Sequence, residues 1–151
     1  MITTSPSSDT DLPSDIRLVV ADMDGTLLDE AGSIPSSFWP LLSRLREHGI
    51  VFAPASGRQH PALSELFTAA GTELALISEN GAHVVRDGEV VACSAIGTGT
   101  ASSTVAFIRD LGRRFNLGLV WSGQRSAYVE RNDEKFVSEA GRFYTSLTVV
   151  E

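Results

Sequence analysis

The stretch VVADMDGTLL, residues 19–28, decides how this chain folds and raises a question about its chemistry. Residues 16–21 are mostly apolar and β-branched, which is typical of a strand buried in a parallel sheet. The strand ends in Asp22 and Asp24, and Gly25 permits an unusual backbone angle in the turn that follows. Because ligands bind beyond the carboxyl ends of parallel strands, both carboxylates are expected to face one small volume.

Paired carboxylates at a strand end need a partner. Two neighbouring carboxylates resist ionising together unless a cation or a hydrogen-bond donor compensates, and Mg²⁺, which takes oxygen ligands, is the obvious cation. One carboxylate is then able to attack phosphorus while the other moves a proton to the leaving group. A calcium loop of the EF-hand type is excluded, because counting from Asp22 puts Leu27 and Ser33 where Gly and Glu are required. A plain turn without chemistry remains the alternative.

The composition limits the classes of partner. The chain has 151 residues, of which 42% are hydrophobic and 21% charged, as expected for one folded domain or two small ones. Its net charge of -7 argues against a nucleic-acid partner but leaves room for a small phosphorylated substrate at a locally positive site. The single cysteine, Cys93, suits a reducing cytosol, so we expect a cytoplasmic protein. No stretch is long and apolar enough to predict a membrane span.

Strands and helices alternate through the first part of the chain. The apolar spacing predicts strands at residues 16–21, 50–55 and 74–78, helices at 36–48 and 60–70, and a hairpin at 82–93. Ser36 or Ser37 is expected to cap the first helix, and Pro54 is expected at a strand end or a bulge. The alternation predicts an α/β fold with a parallel sheet and right-handed crossovers.

A change of composition divides the chain. The run AIGTGTASS, residues 95–103, is small and flexible and predicts a boundary. Beyond it, the pattern predicts helices at 104–115 and 134–140, and strands at 117–122, 127–130 and 146–150. We therefore expect a flexible tail at residues 1–14, a core at 15–96 and a second α/β part at 97–151.

Three motifs at strand ends resemble those of the haloacid dehalogenase-like superfamily. VVADMDGTLL is similar to its first motif, Asp-x-Asp-Gly-Thr after a buried strand, and ASGR, residues 55–58, resembles the second. SENGA, residues 78–82, is similar to the Asn-Gly-Ala of the Cof-type sugar-phosphatase branch. The resemblance implies a partial Rossmann-like parallel-sheet core at residues 15–96, followed by the first part of an α/β cap at 97–151.

The resemblance implies a catalytic role for each acid. Asp22 would be the nucleophile, forming an aspartyl-phosphate, and would also bind Mg²⁺. Asp24 would be the general acid and base and would give its backbone carbonyl to Mg²⁺. The implied function is a Mg²⁺-dependent phosphatase acting on a small phosphorylated metabolite such as a sugar phosphate. A phosphomutase or phosphotransferase of the same superfamily is the first alternative.

The resemblance also implies a phosphate-binding group. Ser56 would hydrogen-bond the transferring phosphoryl group, and Gly57 would allow its close approach. Arg58 would reach the substrate or the cap, and Asn80 would line the entrance. A helix cap for Ser56 and a simple surface position for Arg58 are the structural alternatives. In the cap, Trp121 is a candidate substrate contact, together with Arg125 and Tyr128, although both aromatic residues are more typical of a cap core.

Two features of the family are missing from the sequence. Its third motif supplies a lysine and its fourth an acidic metal-binding cluster, whereas the sole lysine here, Lys135, lies in the unrelated run RNDEKFVSE. A catalytically inactive fragment is therefore the second alternative. The family places a later strand beside the first one, so residues 18–21 are expected to expose an apolar edge. We favour truncation of a longer enzyme as the explanation, with self-association through that edge as the other.

Overall fold

The computed structural model describes residues 16–71 and 74–150, and the expected tail at residues 1–14 lies outside them. The described chain is a mixed α/β structure with a five-stranded and a three-stranded sheet. The five-stranded sheet contains, in chain order and in spatial order, β1 (Leu18–Asp22), β2 (Val51–Ala55), β3 (Ala75–Ser78), β4 (His83–Arg86) and β5 (Glu89–Cys93). The predicted α/β class, with parallel strands in the central sheet, is confirmed.

Two helices connect the parallel strands. β1, β2 and β3 run parallel, with α1 (Phe38–Glu47) between the first two and α2 (His60–Leu66) between the next two. One core cluster is formed by the inward faces of these elements. Its buried members are Met23, Leu28, Phe38, Leu42, Phe52, Leu63, Phe67, Ala70, Leu74 and Leu76. Burial of this apolar surface is the main force that holds the helices against the sheet.

Strand β1 lies at the edge of the five-stranded sheet, as the family resemblance predicts. Val19 and Ala21 pack against the core cluster. Leu18 and Val20 point to the opposite face and are 54% and 52% exposed. Among the described residues, β1 therefore presents an apolar face and an unpaired edge to solvent.

The predicted hairpin is present. β4 and β5 pair antiparallel, and the residues that join them, Asp87 and Gly88, have φ angles of 52° and 81°. Positive φ at both central positions gives the turn a twist that matches the twist of the flanking strands.

Two local predictions near the helices were wrong. Ser37 occupies the N-cap position of α1, but its backbone is helical and its side chain makes no capping hydrogen bond. A capping side chain needs an extended backbone at that position. Helix α2 ends at Leu66 rather than at residue 70, and Thr68 begins a short 3-10 turn in which its hydroxyl donates to the Glu65 carbonyl at 2.8 Å.

Pro54 lies inside an interior strand and is the second-last residue of β2. It faces Ala21 in the register with β1, while β2 and β3 share only the pair Ala55 and Ile77 beyond it. The proline is therefore close to the strand end, where the loss of a backbone donor interrupts little of the ladder.

The three-stranded sheet follows in the order β6 (Val120–Ser122), β7 (Ala127–Val129) and β8 (Leu147–Val149). β6 and β7 are antiparallel, whereas β7 and β8 are parallel and are connected through α4 (Glu134–Gly141). Asp133 caps α4, because its Oδ1 accepts a hydrogen bond from the Phe136 amide at 3.2 Å.

Helix α3 (Thr98–Gly112) precedes this sheet and begins earlier than residue 104, the predicted start. The small residues after Gly97, which the sequence predicts to be flexible, form the first turns of the helix. Strand β6 is shorter than predicted, because the carbonyl of Leu117 accepts a hydrogen bond from Arg131 Nη1 at 3.2 Å instead of joining the ladder. Among the described residues, no helix is long and apolar enough to cross a membrane.

Candidate active site at the strand ends

Asp22 and Ser56 meet at the carboxyl edge of the parallel strands. Asp22 is the last residue of β1 and pairs in register with Ala55, the last residue of β2, so Ser56 follows directly beside it. Ser56 is 7% exposed, and its amide donates to the carbonyl of Ile77 on β3 at 2.9 Å. Three strands therefore fix the position of this serine.

The turn after β1 exposes both acids. Met23 is completely buried in the core cluster, whereas its neighbours Asp22 and Asp24 are exposed. Gly25 has a φ of 77°, and the Leu28 amide donates to the Met23 carbonyl at 2.9 Å, which closes the turn. The buried methionine anchors the turn, and the alternation around it leaves the two carboxylates in solvent at the same sheet edge.

The two acids have different hydrogen-bond partners. The only side-chain bond to Asp22 within the described residues is a long one, from Thr26 Oγ1 to Oδ2 at 3.5 Å. Asp24 is held by Arg58, whose Nη2 lies 2.6 Å from Oδ1 and whose Nε lies 3.3 Å from Oδ2. The Asp22 carboxylate is therefore accessible to a ligand, while Asp24 is held in one orientation.

The pairing of Arg58 with Asp24 was not predicted. The expected positions of Arg58 were at the substrate, at the cap or on the surface, because Arg58 and Asp24 are 34 positions apart and no local pattern connects them. The signal in the sequence that was available for this proximity is that both residues follow the ends of predicted parallel strands.

Ser56 does not cap the following helix. Its Oγ accepts a hydrogen bond from the Arg58 amide at 3.2 Å, within its own turn. The N-cap of α2 is Gln59, whose side chain makes no capping bond. The capping alternative for Ser56 is therefore wrong, and its hydroxyl holds the turn that carries Gly57 and Arg58.

Asn80 lies against the turn after β2. Its amide donates to the Ser56 carbonyl at 3.1 Å, and the amide of Glu79 donates to the Arg58 carbonyl at 3.0 Å. A Cβ atom on Gly57 would lie only 2.8 Å from Asn80 Oδ1. The structure therefore brings all six predicted site residues to one edge of the sheet, with Gly57 and Asn80 in close contact.

The oxygen atoms at this edge that are available to bind a metal ion are few, but they suit a hard cation. Asp22 offers an exposed carboxylate, and Asp24 offers its backbone carbonyl. No cluster of three or more His, Cys, Asp or Glu side chains that would hold a metal occurs in residues 16–71 and 74–150. Mg²⁺ keeps several waters and needs only one or two protein carboxylates, so these donors fit a largely hydrated Mg²⁺.

A pair of histidines joins the start of α2 to the start of β4. The rings of His60, at the start of α2, and His83, at the start of β4, are perpendicular with centroids 5.3 Å apart. Within the described residues, His60 Nδ1 and both ring nitrogens of His83 are buried without a hydrogen-bond partner. Burial, and secondly the nearby charge of His83, lower the pKa of His60.

A separate cavity of about 490 Å³ lies between α3 and the three-stranded sheet. Trp121 and Tyr128 line it, and Tyr128 is 37% exposed, so the expectation that Tyr128 is buried in a cap core was wrong. The paired side chains of Arg109 and Glu130 also line this cavity. Arg125 is exposed and lies outside the lining.

Comparison with known proteins assigns the family. A sequence model of the haloacid dehalogenase-like hydrolases matches residues 19–149. The chain is 30% identical over 138 residues to the 5-amino-6-(5-phospho-D-ribitylamino)uracil phosphatase YbjI of Escherichia coli K12, an alignment that covers 90% of this chain and 50% of that protein.

Solved structures have the same fold. SMU.1108c of Streptococcus mutans UA159 matches with a TM-score of 0.77 and 25% identity, over 90% of this chain and 51% of that one. BT1666 of Bacteroides thetaiotaomicron, described among the phosphatases of the haloalkanoate (HAD) enzyme superfamily, matches with a TM-score of 0.69 and 25% identity, over 97% of this chain and 54% of that one. The chain thus spans about half the length of these relatives. The resemblance of the strand-end motifs is confirmed, and the chain belongs to the haloacid dehalogenase-like hydrolase family.

Proposed function

We propose that this chain carries the nucleophile and the phosphate-binding turn of a Mg²⁺-dependent phosphatase of the Cof-type branch. The observation that supports this most directly is the register of β1 and β2, which sets the accessible carboxylate of Asp22 beside the buried hydroxyl of Ser56. The nucleophile and the side chain that donates a hydrogen bond to the phosphate must be neighbours, because one phosphoryl group has to contact both.

In the first step, a carboxylate oxygen of Asp22 attacks the phosphorus of a phosphate monoester. A bond forms between that oxygen and phosphorus, and the bond from phosphorus to the ester oxygen breaks. Both oxygens of Asp24 accept from Arg58 in the structure. For the proton transfer, one of them turns from Arg58 to the leaving oxygen and carries a proton to it, so the products are an alcohol and an aspartyl-phosphate. Ser56 Oγ donates a hydrogen bond to the transferring group.

In the second step, a water molecule attacks the phosphorus of the aspartyl-phosphate. Asp24 accepts the proton of that water, the bond from Asp22 to phosphorus breaks, and inorganic phosphate leaves. Both acids return to their starting states. The Asp22 carboxylate and the Asp24 backbone carbonyl would hold Mg²⁺, which when bound supplies positive charge that offsets the phosphoryl oxygens.

The proposed substrate is a small phosphorylated metabolite of the sugar-phosphate kind. Support comes from the relative named for a phosphorylated ribityl compound. We propose that residues 97–150 act as the cap that selects this substrate, with Trp121, Arg125 and Tyr128 as candidate contacts. The core is assigned to residues 15–96.

The test is release of inorganic phosphate from a panel of sugar phosphates and from p-nitrophenyl phosphate, with and without Mg²⁺. We expect Asp22→Asn to reduce the rate by more than about 10³-fold and Asp24→Asn by about 10²- to 10⁴-fold. Asp110→Asn, which removes an equal charge from an exposed position on α3, is the matched control. Undiminished activity of Asp22→Asn would refute the nucleophile assignment.

A second candidate is a chain that binds phosphate without turnover. Its support is the location of Lys135, which is exposed in the first turn of α4 beside the three-stranded sheet, and the small number of metal donors among the described residues. Analysis of the products distinguishes the candidates: a phosphatase gives free phosphate, a phosphomutase gives an isomerised sugar phosphate, and the binding protein gives neither.

We also propose that copies of this chain associate through the open edge of β1, and that the protein is cytoplasmic. The exposed faces of Leu18 and Val20 support association, because an unpaired apolar strand edge is a template for another strand.

The acidic net charge of -7 supports a substrate that is small rather than a nucleic acid.

A further inference from the structure

Among the described residues, two side-chain hydrogen bonds connect the five-stranded sheet and its turns to the three-stranded sheet and its turns. Ser122 Oγ, at the end of β6, donates to Glu79 Oε1 at 2.9 Å. Gln124 Nε2 donates to Cys93 Sγ, at the end of β5, at 3.1 Å. The first bond has a charged acceptor and is half-buried, whereas the second has a weak sulfur acceptor and is exposed. The bond to Glu79 is therefore the stronger of these two.

Little packing supports these bonds. A cavity of about 550 Å³ lies between the two sheets, lined from one side by Glu79 and His83 and from the other by Trp121 and Ser122. Where side chains do not interdigitate, dispersion contacts are lost and relative movement costs little. The position of the three-stranded sheet therefore depends on a few polar contacts, of which the Glu79 bond is one.

Glu79 is also hydrogen-bonded to the turn of residues 56–58, which is proposed to bind phosphate. Its amide donates to the Arg58 carbonyl, and the amide of the next residue, Asn80, donates to the Ser56 carbonyl. Glu79 and Asn80 have φ angles of 53° and 55°, a rare pair of left-handed residues that are not glycine. Such a backbone persists only where its surroundings hold it, so the side chain of Glu79 leaves this turn in one fixed direction.

We propose that Glu79 is a positioning residue that couples the three-stranded sheet to the turn carrying Ser56 and Arg58. Its backbone holds that turn, and its carboxylate holds Ser122. A phosphorylated ligand that orders the turn therefore also favours the docked position of the three-stranded sheet, and docking in return favours the ligand. The coupling to a ligand rests on the proposed function, whereas the contact between the sheets does not.

The fluorescence of Trp121 reports whether the three-stranded sheet is docked, because Trp121 is next to Ser122 and lines the cavity. The chain has two tryptophans, so Trp39→Phe leaves Trp121 as the single fluorophore. The first measurement is quenching of Trp121 by acrylamide in the ligand-free protein. We expect Glu79→Ala to shift the equilibrium toward the undocked state by about tenfold and to raise quenching clearly. Glu79→Gln, whose amide oxygen is still able to accept from Ser122, is expected to retain the low quenching.

Ser122→Ala tests the same bond from the other side. It should raise quenching as Glu79→Ala does, and the double variant should show no further increase, because both changes remove one interaction. Glu89→Ala, an exposed glutamate on β5, is the charge-matched control and should match the parent. Unchanged quenching in Glu79→Ala or in Ser122→Ala, or additive effects in the double variant, would overturn the proposal.

The second measurement separates this proposal from the proposed function. Inorganic phosphate with Mg²⁺ is titrated into the parent and into Glu79→Ala, each in the Trp39→Phe background. We expect phosphate to lower Trp121 quenching in the parent and to bind about tenfold more weakly to Glu79→Ala. Phosphate binding of equal affinity in both proteins would refute the coupling. Absence of phosphate binding to the parent would refute the proposed function. The quenching measurement without ligand would still test the bond between Glu79 and Ser122.

Discussion

Arg58 holds Asp24 through two nitrogen atoms, with Nη2 2.6 Å from Oδ1 and Nε 3.3 Å from Oδ2. This pair joins the turn after β1 to the turn after β2. A planar guanidinium that contacts both carboxylate oxygens sets the direction of the acid as well as its distance. The orientation of the proposed general acid therefore depends on a residue that lies outside its own turn.

Arg58→Lys tests this orientation. Lysine keeps the charge but loses the fork of two donors, so phosphate release should fall about tenfold. The melting temperature should change little, because a pair whose side chains are 36% and 63% exposed contributes at most about 1 kcal/mol. Arg142→Lys, which alters a more exposed pair with Glu139 on α4, should leave the rate unchanged. Equal rates for Arg58→Lys and the parent would contradict the orienting role.

Gly57→Ala tests the close approach of Asn80. The new methyl group would lie 2.8 Å from Asn80 Oδ1, so the asparagine side chain must move away from the site. We expect at least about tenfold weaker phosphate binding, measured by calorimetry, because a displaced contact loses its geometry. The cost in stability should be small, since the end of an exposed side chain moves easily. Gly99→Ala, with nothing within 4 Å of the added methyl, is the control and should bind phosphate as the parent does.

His60 predicts a pH dependence of stability. Its folded-state pKa is lowered by burial and by His83, so below about pH 6.5 the unfolded chain binds more protons than the folded one. This contribution to the free energy of unfolding is intact above that pH and is lost as the pH falls. Urea unfolding at several pH values should show a smaller loss in His60→Gln than in the parent. His48→Gln, at an exposed helix end, should follow the parent, and the same loss in all three proteins would be evidence against a role of His60.

The open edge of β1 predicts self-association. Replacing Leu18 and Val20 by threonine keeps the β-propensity but removes much of the exposed apolar surface. Sedimentation velocity should show a smaller associated fraction for the double variant than for the parent at the same concentration. Leu41→Thr changes a leucine that is 49% exposed on helix α1, away from any strand edge, and should leave the association unchanged. If both variants dissociate equally, general surface hydrophobicity rather than the strand edge is responsible.

Much of the fold was predictable because it depends on local spacing. The apolar run before Asp22 predicts a strand, and the leucines of residues 36–48 predict a helix with one buried face, as the structure has them. Asp87-Gly88 predicts the hairpin turn for the same reason, since both residues adopt positive φ at little cost. Helix α3 was partly missed, because small residues such as Gly99 and Thr100 have weak local preferences that a helical context overrides.

The site was predictable as a set of residues but not as a set of contacts. Ligands bind at the carboxyl ends of parallel strands, which predicts that Asp22 and Asp24 share one site, and the family resemblance adds Ser56 at the end of the next strand. The bond between Asp24 and Arg58, and the bond between Glu79 and Ser122, depend on how distant segments pack. No pattern of neighbouring residues carries that information.

The amino-acid order alone therefore determines which segments become strands and helices, and which side of each is apolar, because these properties arise from backbone preferences and from the period of the buried side chains. The three-dimensional packing decides which carboxylate remains accessible, which is held by an arginine, and which glutamate reaches across to the second sheet. Those outcomes depend on distances between residues far apart in the chain, and such distances are set only when the hydrophobic core brings the elements together.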